Sequence, residues 1–265
     1  MSFLSSYISR VSNPPAWLLA AILLPSTAAA IDGEIHVYDD EVLEPGTLNL
    51  TINNNYIARG ANTADYPGAV VPGGSLSGGT EWAYGVRPGV ELGLFLPIAS
   101  IANHGRITLD GAELRLLLLP PSLANGQGGH FFYGLNTSLG INNRAIDEKP
   151  FDGEIQPILG ARWGAFTLTL NPSLETGFNG PSNLVFAPTG RLAYEYSKSW
   201  TFAVENHADL GQLTHLSPAP ETSQRLFAVA QYNTEGKSIE AGVGQGLTHA
   251  SDQLTVRLVV SFDIH

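Results

Sequence analysis

The chain has 265 residues, a formal net charge of −11 and no cysteine. Only 14% of it is charged, against ~25% in an ordinary soluble domain. An acidic chain without a basic face excludes nucleic acid as a partner, and the lack of thiols excludes a disulfide framework and a thiolate metal site. Residues 1–30 carry a single charge, Arg10, then an apolar run at 16–24 and the small residues Ala28, Ala29 and Ala30. This layout predicts a cleavable signal peptide over 1–30, because so short a run falls well below the ~20 residues of a membrane helix. Residues 31–46 hold Asp32, Glu34, Asp39, Asp40, Glu41 and Glu44 with no Lys or Arg. They read as a solvated acidic leader, with entry into the end of a barrel as the alternative.

Alternation begins at residue 47. Leu48, Leu50, Ile52 and Tyr56 fall on one parity and Asn49, Thr51, Asn53 and Asn55 on the other. Successive strand side chains point to opposite faces, so such a stretch is a strand with an oily side and a wet side. The same pattern recurs over 75–86, 90–96, 108–118, 131–139, 151–163, 166–175, 186–196, 200–210, 225–233, 238–246 and 253–264. In the last, Leu254, Val256, Leu258, Val260, Phe262 and Ile264 alternate with Thr255, Arg257, Ser261 and Asp263, and Val259 alone breaks step. At roughly 3.3 Å per residue that strand runs about 40 Å, enough to cross a bilayer.

These stretches predict twelve strands, an even number, joined alternately by tight turns and longer loops. The fourth connection, 119–128, should be tight and is not. Trp82, Tyr84, Trp163, Phe166, Tyr194, Tyr196, Trp200, Phe202 and Tyr232 all flank the tight turns, as an interfacial aromatic girdle does. A soluble sandwich or lipocalin-like barrel also alternates, with its oily face inward. Strand length, the girdle and the charges on the wet face favour an all-β transmembrane antiparallel up-and-down barrel occupying residues 47–265. The expected place is the outer membrane of a Gram-negative cell, with outer-membrane lipid and the outer-membrane assembly machinery as partners.

The signal peptide, the leader's Tyr38-Asp39-Asp40 ending in Pro45-Gly46, the first strand and the Tyr84-Gly85-Val86 hairpin arm resemble proteobacterial outer-membrane barrels of the phenol-degradation meta-pathway type. The resemblance implies a channel or transporter for small solutes, hydrophobic or aromatic ones among them. The chain ends Phe262-Asp263-Ile264-His265, where such barrels usually end on an aromatic residue.

If the wet face lines the lumen, the selectivity candidates are Glu81, Glu91, Glu113, Arg115, Asp152, Glu154, Arg162, Glu175, Arg191, Glu195, Glu205, His207, Asp209, Arg225, Glu240 and Arg257, with Asp263 beside them. Charges facing lipid cost roughly 2–4 kcal/mol at midplane, which puts them inside. They make either a charged eyelet or an Arg–carboxylate network that fills the bore. Glu205, His207 and Asp209 share one face at spacing two, as does any polar strand face, so no metal and no cofactor is expected. His215 and Ser217 have the spacing of the pair in outer-membrane lipid hydrolases, but Pro218 follows and removes a ladder donor. Solute passage is the expected function, no enzyme is expected, and lipid hydrolysis or a purely structural barrel are the alternatives.

Overall fold

The computed structural model describes residues 35–64, 66–97, 100–101, 107–108, 111–143 and 148–264. The predicted signal peptide, with Asp32 and Glu34, lies outside them. Among the described residues twelve strands form one antiparallel sheet: β1 Leu48–Arg59, β2 Leu76–Arg87, β3 Val90–Pro97, β4 Gly111–Leu118, β5 Phe131–Asn142, β6 Phe151–Trp163, β7 Phe166–Asn171, β8 Thr189–Glu195, β9 Trp200–Asp209, β10 Ser223–Thr234, β11 Lys237–Gly246 and β12 Leu254–Ile264. The sheet closes because β1 is paired on both edges. Leu50 lies opposite Phe262 of β12 and opposite Trp82 of β2. Closure leaves no unpaired edge, the condition for strands in hydrocarbon.

Which face is inside is settled by exposure. In β12, Val256 and Leu258 are 42% and 45% exposed, while Thr255 and Arg257 are 1% and 2% exposed. The oily parity therefore points out and the wet parity in, the reverse of a soluble barrel. The girdle forms as read. Trp163 stacks on Phe166 at 6.1 Å and Phe166 meets Tyr194 at 4.9 Å; Trp200 meets Phe202 at 6.0 Å and Tyr232 at 5.0 Å. The turns beneath use glycine where the backbone must be left-handed, at Gly89 and Gly164, with φ of +75° and +60°. Short turns mark the periplasmic end of such barrels, and β1 starts and β12 ends at that same end.

Some predicted strands are interrupted. The stretch read as 166–175 divides into β7 and a short continuation, Leu174–Thr176, because Pro172 has no N–H to give the ladder. Ahead of β8, Val185–Phe186 is cut off at Pro188 in the same way. The stretch expected to begin at 108 begins at Gly111, and Ile107–Thr108 pairs instead with Ser100–Ile101.

The long fourth connection has a structural reason. Its single turn of 3-10 helix, Ala124–Gly126, lies at the short-turn end and packs inside the barrel. Leu119 and Ala124 join Leu117, Phe132, Ile158 and the leader's Val42 in a buried apolar cluster. A second cluster holds Ile35 of the leader against Ala193, Ala203, Phe227 and Val229. The leader is thus not a solvated tail. Its described part, 35–46, runs inside the barrel on two oily patches of an otherwise polar wall.

Candidate functional site

The lumen is built from strand residues of the inward parity, and its charges gather in clusters. On one wall, Arg115 of β4 makes ion pairs with Glu81 of β2 and, at 3.1 Å, with Glu91 of β3. Gly93 leaves room for this, since a Cβ there would come within 3.0 Å of the guanidinium and of Glu81. On the opposite wall, Arg191 of β8 and Arg257 of β12 share Glu205 of β9 and Glu240 of β11. Arg191 lies 3.0 Å from Glu240, and Arg257 lies 2.7 Å from each acid; Arg191 and Glu205 are also paired. Arg191 donates to Gln231 at 2.8 Å, and the His207 ring is 3.1 Å from Glu205. These strands lie within five successive strands of the sheet, β8 to β12, with β10 between β9 and β11, and register does the positioning: Arg191 faces Glu205 and Gly242 faces Arg257.

The other predicted residues fall outside these clusters. Arg162 pairs with the leader's Asp40. Arg225 is buried opposite His207 in the ladder. Asp209 accepts the N–H of Gly211 at 2.8 Å, holding the bend that ends β9. Glu154 and Glu175 face one another in register towards the long-loop end, and Glu113 and Asp152 both lie opposite Gly140. Glu195 is exposed at the short-turn rim, and Asp263 accepts from Asn49 at 2.7 Å. Among the described residues no group of three or more His, Asp or Glu is arranged to hold a metal; Glu205 is already committed to two guanidiniums. His215 and Ser217 lie in and just after a short rim strand, and no hydrogen bond joins them among the described residues.

The leader ties these walls together. Ile35 O accepts from Arg257 at 2.8 Å. Tyr38 exchanges two hydrogen bonds of 2.9 Å with the Asn171 side chain, and Arg115 sits 4.8 Å over its ring. Asp40 takes the Gly126 N–H at 3.0 Å, Val42 N–H gives to Asn125 at 3.0 Å, and Leu43 N–H gives to Glu91 at 3.0 Å. Gly46 N–H reaches Gly85 O at 2.8 Å, and a Cβ at Gly85 would collide with the leader backbone.

Leader side chains sort by side. Ile35, Val37, Asp40 and Val42 are buried, whereas His36 and Glu41 are exposed and Asp39 is half-buried. Glu41 is enclosed by the barrel and still open to the water inside it. Burial pushes the Asp39 carboxyl up, and the Asp39 carboxylate is the main reason Glu41 rises to about 7. These two acids were legible as charge but not as lumen residues. The missing signal was the apolar residues on the wet parity, namely Leu117, Phe132, Ile158, Phe227 and Val229, which mark where the leader docks.

No family model matches the chain, and no curated protein matches it. Solved structures do. An outer-membrane channel from Pseudomonas putida F1 superposes with a TM-score of 0.58 at 14% identity, covering 87% of this chain and 100% of that one. The KdgM porin in complex with disordered oligogalacturonate gives 0.52 at 12% identity, covering 82% and 99%. The NanC porin gives 0.52 at 11% identity, covering 81% and 100%. The likeness shows the fold, an outer-membrane-type β-barrel. It supports that class and not the narrower meta-pathway family.

Proposed function

We propose that this protein is an outer-membrane channel through which small solutes pass a bore narrowed by its own leader, with cations favoured over anions. The observation that carries the reading is the state of the wall arginines. Arg115, Arg162, Arg191 and Arg257 each hold at least one carboxylate, so they offer no free positive ring to an anion. The first cluster sets one arginine against two glutamates and is net negative; the second sets two against two and is neutral. Above about pH 7, where Glu41 is ionised, the surplus acids, with Asp39 and Glu41 on the open side of the leader, then set the sign of the field, since charged walls concentrate counter-ions and acidic rings favour cations. An acidic oligosaccharide of the kind found in KdgM is disfavoured by that sign.

The finer reading, a place among the meta-pathway barrels with small hydrophobic or aromatic solutes, rests on the leader and hairpin residues that carry the resemblance. The bore also offers an aromatic solute the half-buried Tyr38, over whose ring the Arg115 guanidinium stands at 4.8 Å. Outer-membrane lipid and the assembly machinery complete the expected partners. Single-channel recording of the refolded barrel in a planar bilayer tests the reading. Discrete conductance steps are expected; a barrel that inserts and passes no current would leave a structural role.

A further inference from the structure

The outward face carries a feature that the channel reading does not use. A row of residues crosses it at one height: Leu94 of β3, Leu114 of β4, Leu139 of β5 and Gly153 of β6, each opposite the next. A second row towards the long-loop end runs Ala112, Ile141, Phe151. Phe178 covers the small Gly153, and beside the small Ala112 the larger side chains leave a groove of about 510 Å³, whose lining also includes Glu113, Gly140 and Asp152 of the inward parity. That is within the range of small-ligand sites, roughly 300–1,000 Å³.

The groove has a roof. Phe178, from the β7–β8 loop, folds down over Gly153, where a Cβ would meet its ring at 2.9 Å and Leu139 at 3.3 Å. Phe178 holds a left-handed φ of +56°, a conformation that a bulky residue adopts only under constraint. Its N–H donates to Thr176 Oγ1 at 3.0 Å, which fixes that geometry. Strain of this kind points to a role. Leu114, Leu139 and Phe178 in the groove lining are 57%, 60% and 59% exposed.

We propose that this groove seats one acyl chain of an outer-leaflet lipid. The occupant follows from continuity. The groove is part of the lipid-facing belt, it opens sideways into hydrocarbon, and it lies towards the long-loop, outer end. A narrow concavity roofed by one ring fits a flexible chain and not the convex wall of a second barrel. The inference rests on the barrel's place in a bilayer and not on conduction.

The test uses the refolded full-length barrel, loaded in dioleoyl phosphatidylglycerol vesicles and transferred to detergent, with phospholipid retained per barrel counted by mass spectrometry of the intact complex. One tightly retained lipid is expected in the parent. Phe178→Ala should lower its retention by about tenfold, the order expected for loss of one buried aromatic contact. Ala112→Leu, which fills part of the groove, should do the same, while Leu258→Ala on the far wall should not. Heat-modifiable mobility on a gel confirms that each variant is folded. Equal retention by all four proteins, or a cross-linked dimer through Phe178, would overturn the proposal.

Discussion

The two Arg–carboxylate clusters on opposite walls look alike and are balanced differently. Arg191, Arg257, Glu205 and Glu240 make a closed quartet in which every charge has an opposite, and the leader adds the carbonyl of Ile35 on Arg257 and the carboxylates of Asp39 and Glu41 near Arg191. Arg115, Glu81 and Glu91 have an acid to spare, and the leader supplies part of the missing balance through Leu43 N–H on Glu91. The quartet belongs to the wall; the triad belongs jointly to wall and leader. One cluster holds the barrel shut on itself, and the other holds the leader in the barrel.

Removing one acid from each should separate the two roles. Glu240→Gln leaves two buried guanidiniums on one carboxylate and should cost ~3–5 kcal/mol of barrel stability, the usual penalty for breaking a buried ion pair. Glu91→Gln leaves Arg115 with Glu81 and keeps an acceptor for Leu43, so its cost should be about 1 kcal/mol, that of a weakened hydrogen bond. Urea titration followed by the folded band on a gel measures both. Equal losses would mean that the two clusters are alike after all.

A smaller effect sharpens the leader's side of the comparison. The Glu41 carboxyl rises from an ordinary 4.5 to about 7 beside Asp39. A group that binds its proton more tightly when docked favours docking while protonated. Docking of the leader is therefore firmest below about pH 4.5, and it weakens as pH rises towards 7. Conductance should rise between pH 5 and pH 8, and Glu41→Gln should flatten the rise. A pH profile unchanged by the substitution would remove Glu41 from the device.

The barrel was legible because its signal is repeated. Twelve alternating stretches with aromatics at their tight turns left few other folds, and Arg257 against Leu258 reads as inside against outside without coordinates. Strand ends at Pro172 and Pro188 were legible in principle through the missing N–H. The arrangement of charges was not. Parity places Arg115 and Arg191 on the same face but says nothing of which acid each will choose, since that depends on register between strands far apart in sequence. The leader escaped for a different reason. Its acids look solvated, and its docking sites are single apolar residues such as Phe132 and Phe227, hidden as faults in an otherwise polar parity.

The central claim is that paired arginines leave the lumen, and the leader's open face above all, negative. Reversal potential of single refolded barrels across a tenfold KCl gradient at pH 8 measures it directly, at low total salt so that screening over roughly 10 Å at 0.1 M does not mask the sign. The account predicts a cation-selective potential that shrinks in Asp39→Asn/Glu41→Gln. An anion-selective potential in the parent, or one unmoved by the double substitution, would contradict it.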